Sequence, residues 1–239
     1  PIIDQVRPIR ILTAFLQKGT IPHALLFTGM EGVGKERAAV VVAMACNCER
    51  SCAERETRPP DDNADISPPI TSIPCGKCKS CRKIKSDNHP DIIRLRPSGA
   101  YIKIEQVRSL CQTLAMKPYE GGMRVVIISD AKAMNPAAGN ALLKVLEEPP
   151  VKTLMILVTA HAADLLPTVV SRCQNIRFNP LSKSSIMGTL VREHGMAEGD
   201  AAVIAGLAGG SLSRAQRMYA TNWIQRRHRL INELESLPG

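Results

Sequence analysis

The segment Gly29-Met-Glu-Gly-Val-Gly-Lys35 constrains this chain more than any other. A loop this rich in glycine can turn its backbone amides inward on an anion, and it does so usefully only between a strand and a helix. Both flanks are present. His23-Ala-Leu-Leu-Phe27 is a short apolar run that reads as a buried strand, and Glu36–Cys46 is a long apolar helical stretch. Together they predict a P-loop fold, with Gly29, Gly32 and Gly34 shaping the loop and Lys35 supplying a point charge to phosphates at the helix N-terminus.

The rest of the chain extends the same pattern. Ile9–Leu16 reads as an amphipathic helix ended by Gly19. Ile92–Leu95, Val125–Ile128, Leu154–Val158 and Asn175–Phe178 read as further strands. Between them, Ile104–Leu114 has helical spacing, and Asn140–Glu148 is a helix closed by Pro149-Pro150. Unbroken apolar strands alternating with helices indicate an α/β fold with a parallel sheet flanked by helices. Past Pro180 the strands stop. Ser182–His194, Asp200–Leu207 and Ser213 onward read as helices, with a polar helical stretch over Trp223–Leu237. We therefore expect one domain over residues 1–179 and a small helical lid domain over 180–239.

The loop is followed by the wrong residue for hydrolysis. A Ser or Thr after the lysine would hold magnesium, and Glu36 stands there instead, a carboxylate close to where anionic phosphates would lie. Asp130 follows an apolar strand, where a metal-positioning aspartate belongs, but its neighbour is Ala131 rather than a glutamate able to polarise water. Asp130 could equally cap a helix beginning at Ala131. Two losses at one notional site predict a chain without ATPase activity of its own. Binding of ATP or ADP without turnover stays open.

Composition narrows the setting. No stretch approaches the roughly 18 apolar residues of a membrane span, and residues Pro1–Arg10 lack a signal-like pattern, so a cytoplasmic location is expected. The net charge of +9 permits an acidic or nucleic-acid partner, whereas 3% aromatic residues give no stacking platform for single strands. Residues Glu49–Pro74 are rich in Pro and Asp and predict a mobile surface insertion.

The chain holds 8 cysteines, and the spacing Cys75-x2-Cys78-x2-Cys81 converges three thiolates on one centre. A structural zinc module over about residues 46–81 is expected, with Cys48 as the fourth ligand and Cys52 or Cys46 as alternatives. The spacing of an iron–sulfur cluster would place another cysteine at Lys85, and none is there. His89 reads as the end of a turn rather than a ligand, and Cys111 as part of an apolar helix face.

Four motifs together resemble the clamp-loader AAA+ family of bacterial DNA polymerase III. They are His23–Thr28 with its glycine loop, Cys75-Gly-Lys-Cys-Lys-Ser-Cys81, Asn140-Ala-Leu-Leu-Lys-Val-Leu-Glu-Glu-Pro-Pro150 and Ser171-Arg-Cys173. The resemblance runs over essentially the whole chain. It implies that Arg172 is an arginine finger offered in trans to ATP on a neighbouring subunit, with Ser171 orienting the loop and Cys173 giving buried support. It also implies a sensor-1 position at Thr159 and a sensor-2 arginine at Arg214, facing a degenerate nucleotide site. Glu36 and Ala131 depart from the family's catalytic pattern and favour a noncatalytic subunit over the gamma/tau kind. Gamma/tau and delta subunits, the sliding clamp and primer–template DNA are the partners implied. Such subunits are catalogued with DNA-directed DNA polymerase, although no polymerase chemistry is expected here. The family's C-terminal collar domain is expected to be absent from a chain that stops at Gly239. The rival expectations are an active gamma/tau-type ATPase and a zinc-dependent nucleic-acid-binding module.

Overall fold

The computed structural model describes residues 2–49, 74–120 and 122–235. Nearly all of the segment expected to be an insertion therefore lies outside the described residues, Cys52 with it. The elements in chain order are α1 (Val6–Lys18), β1 (Ala24–Thr28), α2 (Lys35–Asn47), α3 (Lys79–Lys85), β2 (Ile92–Leu95), α4 (Ile104–Leu114) and β3 (Arg124–Ile128). They continue with α5 (Pro136–Glu147), β4 (Thr153–Val158), α6 (Pro167–Val170), β5 (Gln174–Arg177), α7 (Lys183–His194), α8 (Glu198–Leu207), α9 (Leu212–Ala220) and α10 (Trp223–Glu235).

The five strands form one sheet in the order β2-β3-β4-β1-β5, and every pairing is parallel. The central strands β1, β3 and β4 are buried along their whole length, so both faces must be covered. On one face Leu26, Val126, Ile128, Met155 and Leu157 pack with Val107, Leu110 and Leu114 of α4 and with Leu142, Val145 and Leu146 of α5. Helix α5 starts earlier than its apolar run suggests. Pro136 fits the first helical turn, and the Asn135 side chain accepts a hydrogen bond from the Ala138 amide at 2.8 Å.

The chain divides into two compact units. The first comprises Val6–Thr28 and Lys35–Arg177 and holds the sheet. Its floor is tied by buried polar groups. The Arg124 guanidinium, at the start of β3, donates to the carbonyls of Thr113 and Met116 at 2.7 Å and of Lys117 at 2.8 Å. Asp91, fully buried just before β2, accepts from the amides of Tyr119 and Glu120 at 2.7 and 2.8 Å. The two charges stand 3.8 Å apart, so the loop after α4 is held by an internally compensated pair.

The second unit comprises Pro1–Gln5, Gly29–Gly34 and Phe178–Gly239. Its core is Leu181, Ile186, Leu190, Ala201, Ile204, Ala205, Ala208, Ala215 and Ile224, with Ile3 packed against it. The chain's first residues are anchored by polar contacts that no periodicity announces. Buried Gln5 donates to the Asn179 carbonyl at 2.7 Å and accepts from its amide at 3.0 Å. Asp4 accepts from the Ser182 amide and hydroxyl at 2.9 and 2.7 Å. The helical stretch from Ser213 is divided into α9 and α10, and Asn222 turns between them with φ 51°.

Candidate functional site

Three of the residues expected at a nucleotide lie along the carboxyl edge of the sheet. Lys35 is the first residue of α2 and is buried, Asp130 lies two positions beyond β3, and Thr159 directly follows β4. Strands β3, β4 and β1 are parallel neighbours, so their carboxyl ends share one edge. The Thr159 amide donates to the Phe27 carbonyl at 3.0 Å, and its hydroxyl donates to the His161 carbonyl at 3.2 Å and the Asp164 carboxylate at 3.4 Å. Asp130 adopts left-handed backbone, φ 51°, before the short turn Ala131–Ala133. It makes no capping bond; its carboxylate faces Lys132 at 3.6 Å.

Glu36 is exposed in the first turn of α2, where a carboxylate favours the helix dipole. Ala131 is fully buried and belongs to the main core. A carboxylate there would be buried among apolar side chains. Ala131→Glu is accordingly expected to cost about 3 kcal/mol of stability and to confer no hydrolysis, read by denaturant unfolding and phosphate release.

In the second unit the glycine loop is shaped by close approach. A Cβ on Gly32 would stand 2.1 Å from the Ser213 hydroxyl and 2.3 Å from that of Ser211, and the Leu212 amide donates to the Gly32 carbonyl at 3.1 Å. A Cβ on Gly29 would stand 2.3 Å from the Phe178 carbonyl oxygen. Packing by itself therefore requires these two glycines, whether or not a phosphate is held. Ser211 caps α9, accepting from the Arg214 amide at 3.2 Å, and the Arg214 side chain is exposed.

The structure gathers Cys48, Cys75, Cys78 and Cys81, with all four sulfurs within 4.8 Å of one another. Four thiolates each about 2.3 Å from one zinc stand about 3.8 Å apart, so this set fits a closed tetrahedral site. Cys48 follows α2 directly. Asn47 at the end of that helix bonds the Met123 carbonyl at 2.9 Å and the Met123 amide at 3.0 Å, which fixes the position. Cys46 is buried in α2 and is not one of the four.

The backbone already solvates these sulfurs. The Cys78 amide donates to Cys75 Sγ at 3.3 Å, Cys81 N–H to Cys78 Sγ at 3.4 Å, and Cys75 N–H to Cys48 Sγ at 3.5 Å. Amides of Lys77 and Cys78 pull the Cys75 thiol down to about 6, whereas burial pushes Cys81 up, so a metal would have to displace that proton. His89 is buried beside Glu120 at 3.4 Å and is not among the four. Burial holds its imidazole below the usual range against the pull of that carboxylate. Lys83 of α3 pairs with the same Glu120, joining the cysteine segment to the loop after α4.

Arg172 stands elsewhere. It lies between α6 and β5, two residues before that strand begins. Gln174 is in register with Leu25 and Arg177 with Thr28, so Arg172, in the turn that leads into β5, lies at the amino end of that strand. The length of β5, three steps of about 3.3 Å or roughly 10 Å, separates it from the carboxyl edge that carries Lys35, Asp130 and Thr159. Its guanidinium donates to the Thr168 carbonyl at 3.0 Å and reaches the Ser171 hydroxyl at 3.5 Å, while Glu147 pairs with it at 2.7 Å. The Ser171 hydroxyl in turn donates to the Thr168 carbonyl at 3.1 Å. Cys173 is half-buried against the core, and burial pushes its thiol up to about 11. Sequence reasoning missed Glu147. It lies in a conspicuous run, but nothing in helical spacing couples it to a residue so far along the chain.

A glycine loop after the first strand of a five-stranded parallel sheet, with a helical unit following in the chain, defines a P-loop α/β fold. The solved Thermotoga maritima RuvB Holliday junction branch migration motor has the same fold, with a TM-score of 0.55 at 15% identity over 90% of this chain and 60% of that one. The family described as DNA polymerase III, delta subunit, matches residues 4–182, and this chain belongs to that family. The chain is 34% identical to the Bacillus subtilis DNA polymerase III subunit delta', over 79% of this chain and 52% of that protein. It is 31% identical to the Pseudomonas aeruginosa subunit delta', over 90% and 61%. The Escherichia coli subunit tau is also 31% identical, over 77% and 26%. The chain thus spans only part of the length of these curated relatives. No helix among the described residues is long and apolar enough to cross a membrane.

Proposed function

We propose that this protein is a noncatalytic, delta-prime-type clamp-loader subunit that presents Arg172 to ATP held by a neighbouring gamma/tau-type subunit. The observation that carries this reading is the placement of Arg172 at the amino edge of the sheet, opposite the carboxyl edge where the chain's own Lys35 lies. A guanidinium so placed is well separated from Lys35, and it is half-exposed at 36%. Presented in trans it would neutralise charge developing on a γ-phosphoryl group. The exposed Glu36 and the core alanine Ala131 support the absence of turnover at the chain's own loop.

In such an assembly, ATP binding and hydrolysis by the neighbours would open the sliding clamp and seat it on primed DNA. This chain would supply the finger and a rigid surface toward the delta subunit. The cysteine centre is read as structural zinc on Cys48, Cys75, Cys78 and Cys81, bracing the end of α2. The purified chain with magnesium and ATP is expected to show no phosphate release above background. Turnover that disappears in Lys35→Ala would overturn the noncatalytic assignment and favour a gamma/tau-type ATPase.

A further inference from the structure

We propose that Glu147 is the positioning residue for Arg172, a role that rests on the reading of Arg172 as a group acting in trans. An arginine at the end of a short helix has several freely rotating bonds and would sample many directions. Here two elements restrain it. The Glu147 carboxylate pairs with Nη2 at 2.7 Å, and the Thr168 carbonyl accepts from Nη1 at 3.0 Å.

Glu147 can serve as a fixed anchor because its helix is itself fixed. It is the last residue of α5, and its neighbours Val145 and Leu146 are buried in the main core. The contacts engage the two Nη groups without exhausting the five donor hydrogens of a guanidinium, so donors remain for phosphate oxygens. The pair is half-exposed, 36% at Arg172 and 50% at Glu147, and such a pair adds little to folding. Its consequence is orientation. Pre-setting the guanidinium before a neighbour's nucleotide arrives removes an ordering cost from the chemical step, and small misplacements of such groups lower rates steeply.

The test uses the protein assembled with its gamma/tau and delta partners and the clamp, comparing wild type, Glu147→Gln, Arg172→Ala and the double variant. Glutamine preserves volume, and a melting curve for each variant establishes that the fold is kept. Glu147→Gln is expected to lower kcat for ATP hydrolysis about tenfold with KM unchanged, and to add nothing in the Arg172→Ala background. If Arg172→Ala slows hydrolysis but Glu147→Gln does not, this proposal fails and the proposed function stands. A faster Glu147→Gln assembly would mean that the carboxylate withholds the finger, and would also overturn it. So would an equal loss in the Arg172→Ala background, the mark of a general structural role. If Arg172→Ala leaves hydrolysis unchanged, both the trans-acting reading and this refinement of it fall.

Discussion

Replacing Arg172 with alanine is expected to slow ATP hydrolysis by the reconstituted assembly about a thousandfold at the nucleotide it faces, the scale of effect that arginine fingers have elsewhere. The loss would be electrostatic. Charge that builds on the transferred phosphoryl group would lose a preorganised cation, and water entering the gap would screen far less effectively. The chain itself would hardly register the change. Arg172 and Glu147 form a half-exposed pair worth less than about 1 kcal/mol, so the melting temperature should move little. Arg172→Lys should restore only part of the rate, because an ammonium is a point charge without the planar fork of donors. Phosphate release under saturating ATP, measured beside a melting curve, checks both halves.

Loss of the metal centre is expected to act on stability instead. We expect about one zinc per chain by elemental analysis, lost in Cys48→Ser and Cys81→Ser and retained in Cys46→Ser. The four thiols meet where the end of α2, the cysteine loop and the start of α3 converge. Without the metal, the segment keeps its amide–sulfur bonds, the Lys83–Glu120 pair, the Arg94 bond to the Ile84 carbonyl and the burial of Ile84, but loses the bond that joins all four sulfurs. Losing about 4 kcal/mol would lower Tm by roughly 10 °C in a chain of this size. Chelator treatment of the wild type should reproduce the shift, and added zinc should reverse it.

What could be read from the sequence depended on range. Strands β1, β3 and β4 were legible because a strand buried on both faces has few polar residues, and the run Val125–Ile128 has none. The cysteine spacing was legible because short turns dictate which thiolates can meet; Cys48 was legible as the fourth because it follows the first helix after the glycine loop closely enough to be held by it, and the fold gathers it with the other three rather than Cys46. Helix α5 began before its apolar run, because Pro136 and the Asn135 cap act through backbone geometry rather than periodicity. Pairings between distant residues were out of reach. Gln5 clamping Asn179, Asp91 facing Arg124 and Glu147 holding Arg172 are polar interactions with no local signature. The glycines were legible as a loop, but packing against Ser211, Ser213 and Phe178 is a reason for Gly29 and Gly32 that a phosphate motif does not suggest.

On this reading the chain acts on a nucleotide it does not hold, and one side-by-side measurement bears on that most directly. Clamp-stimulated ATP hydrolysis should be measured in assemblies whose only altered subunit is this one, carrying either Lys35→Ala or Arg172→Ala. A near wild-type rate is expected for Lys35→Ala and a steep loss for Arg172→Ala. A steep loss with Lys35→Ala and none with Arg172→Ala would contradict the proposed role, and would return the chemistry to the chain's own phosphate loop.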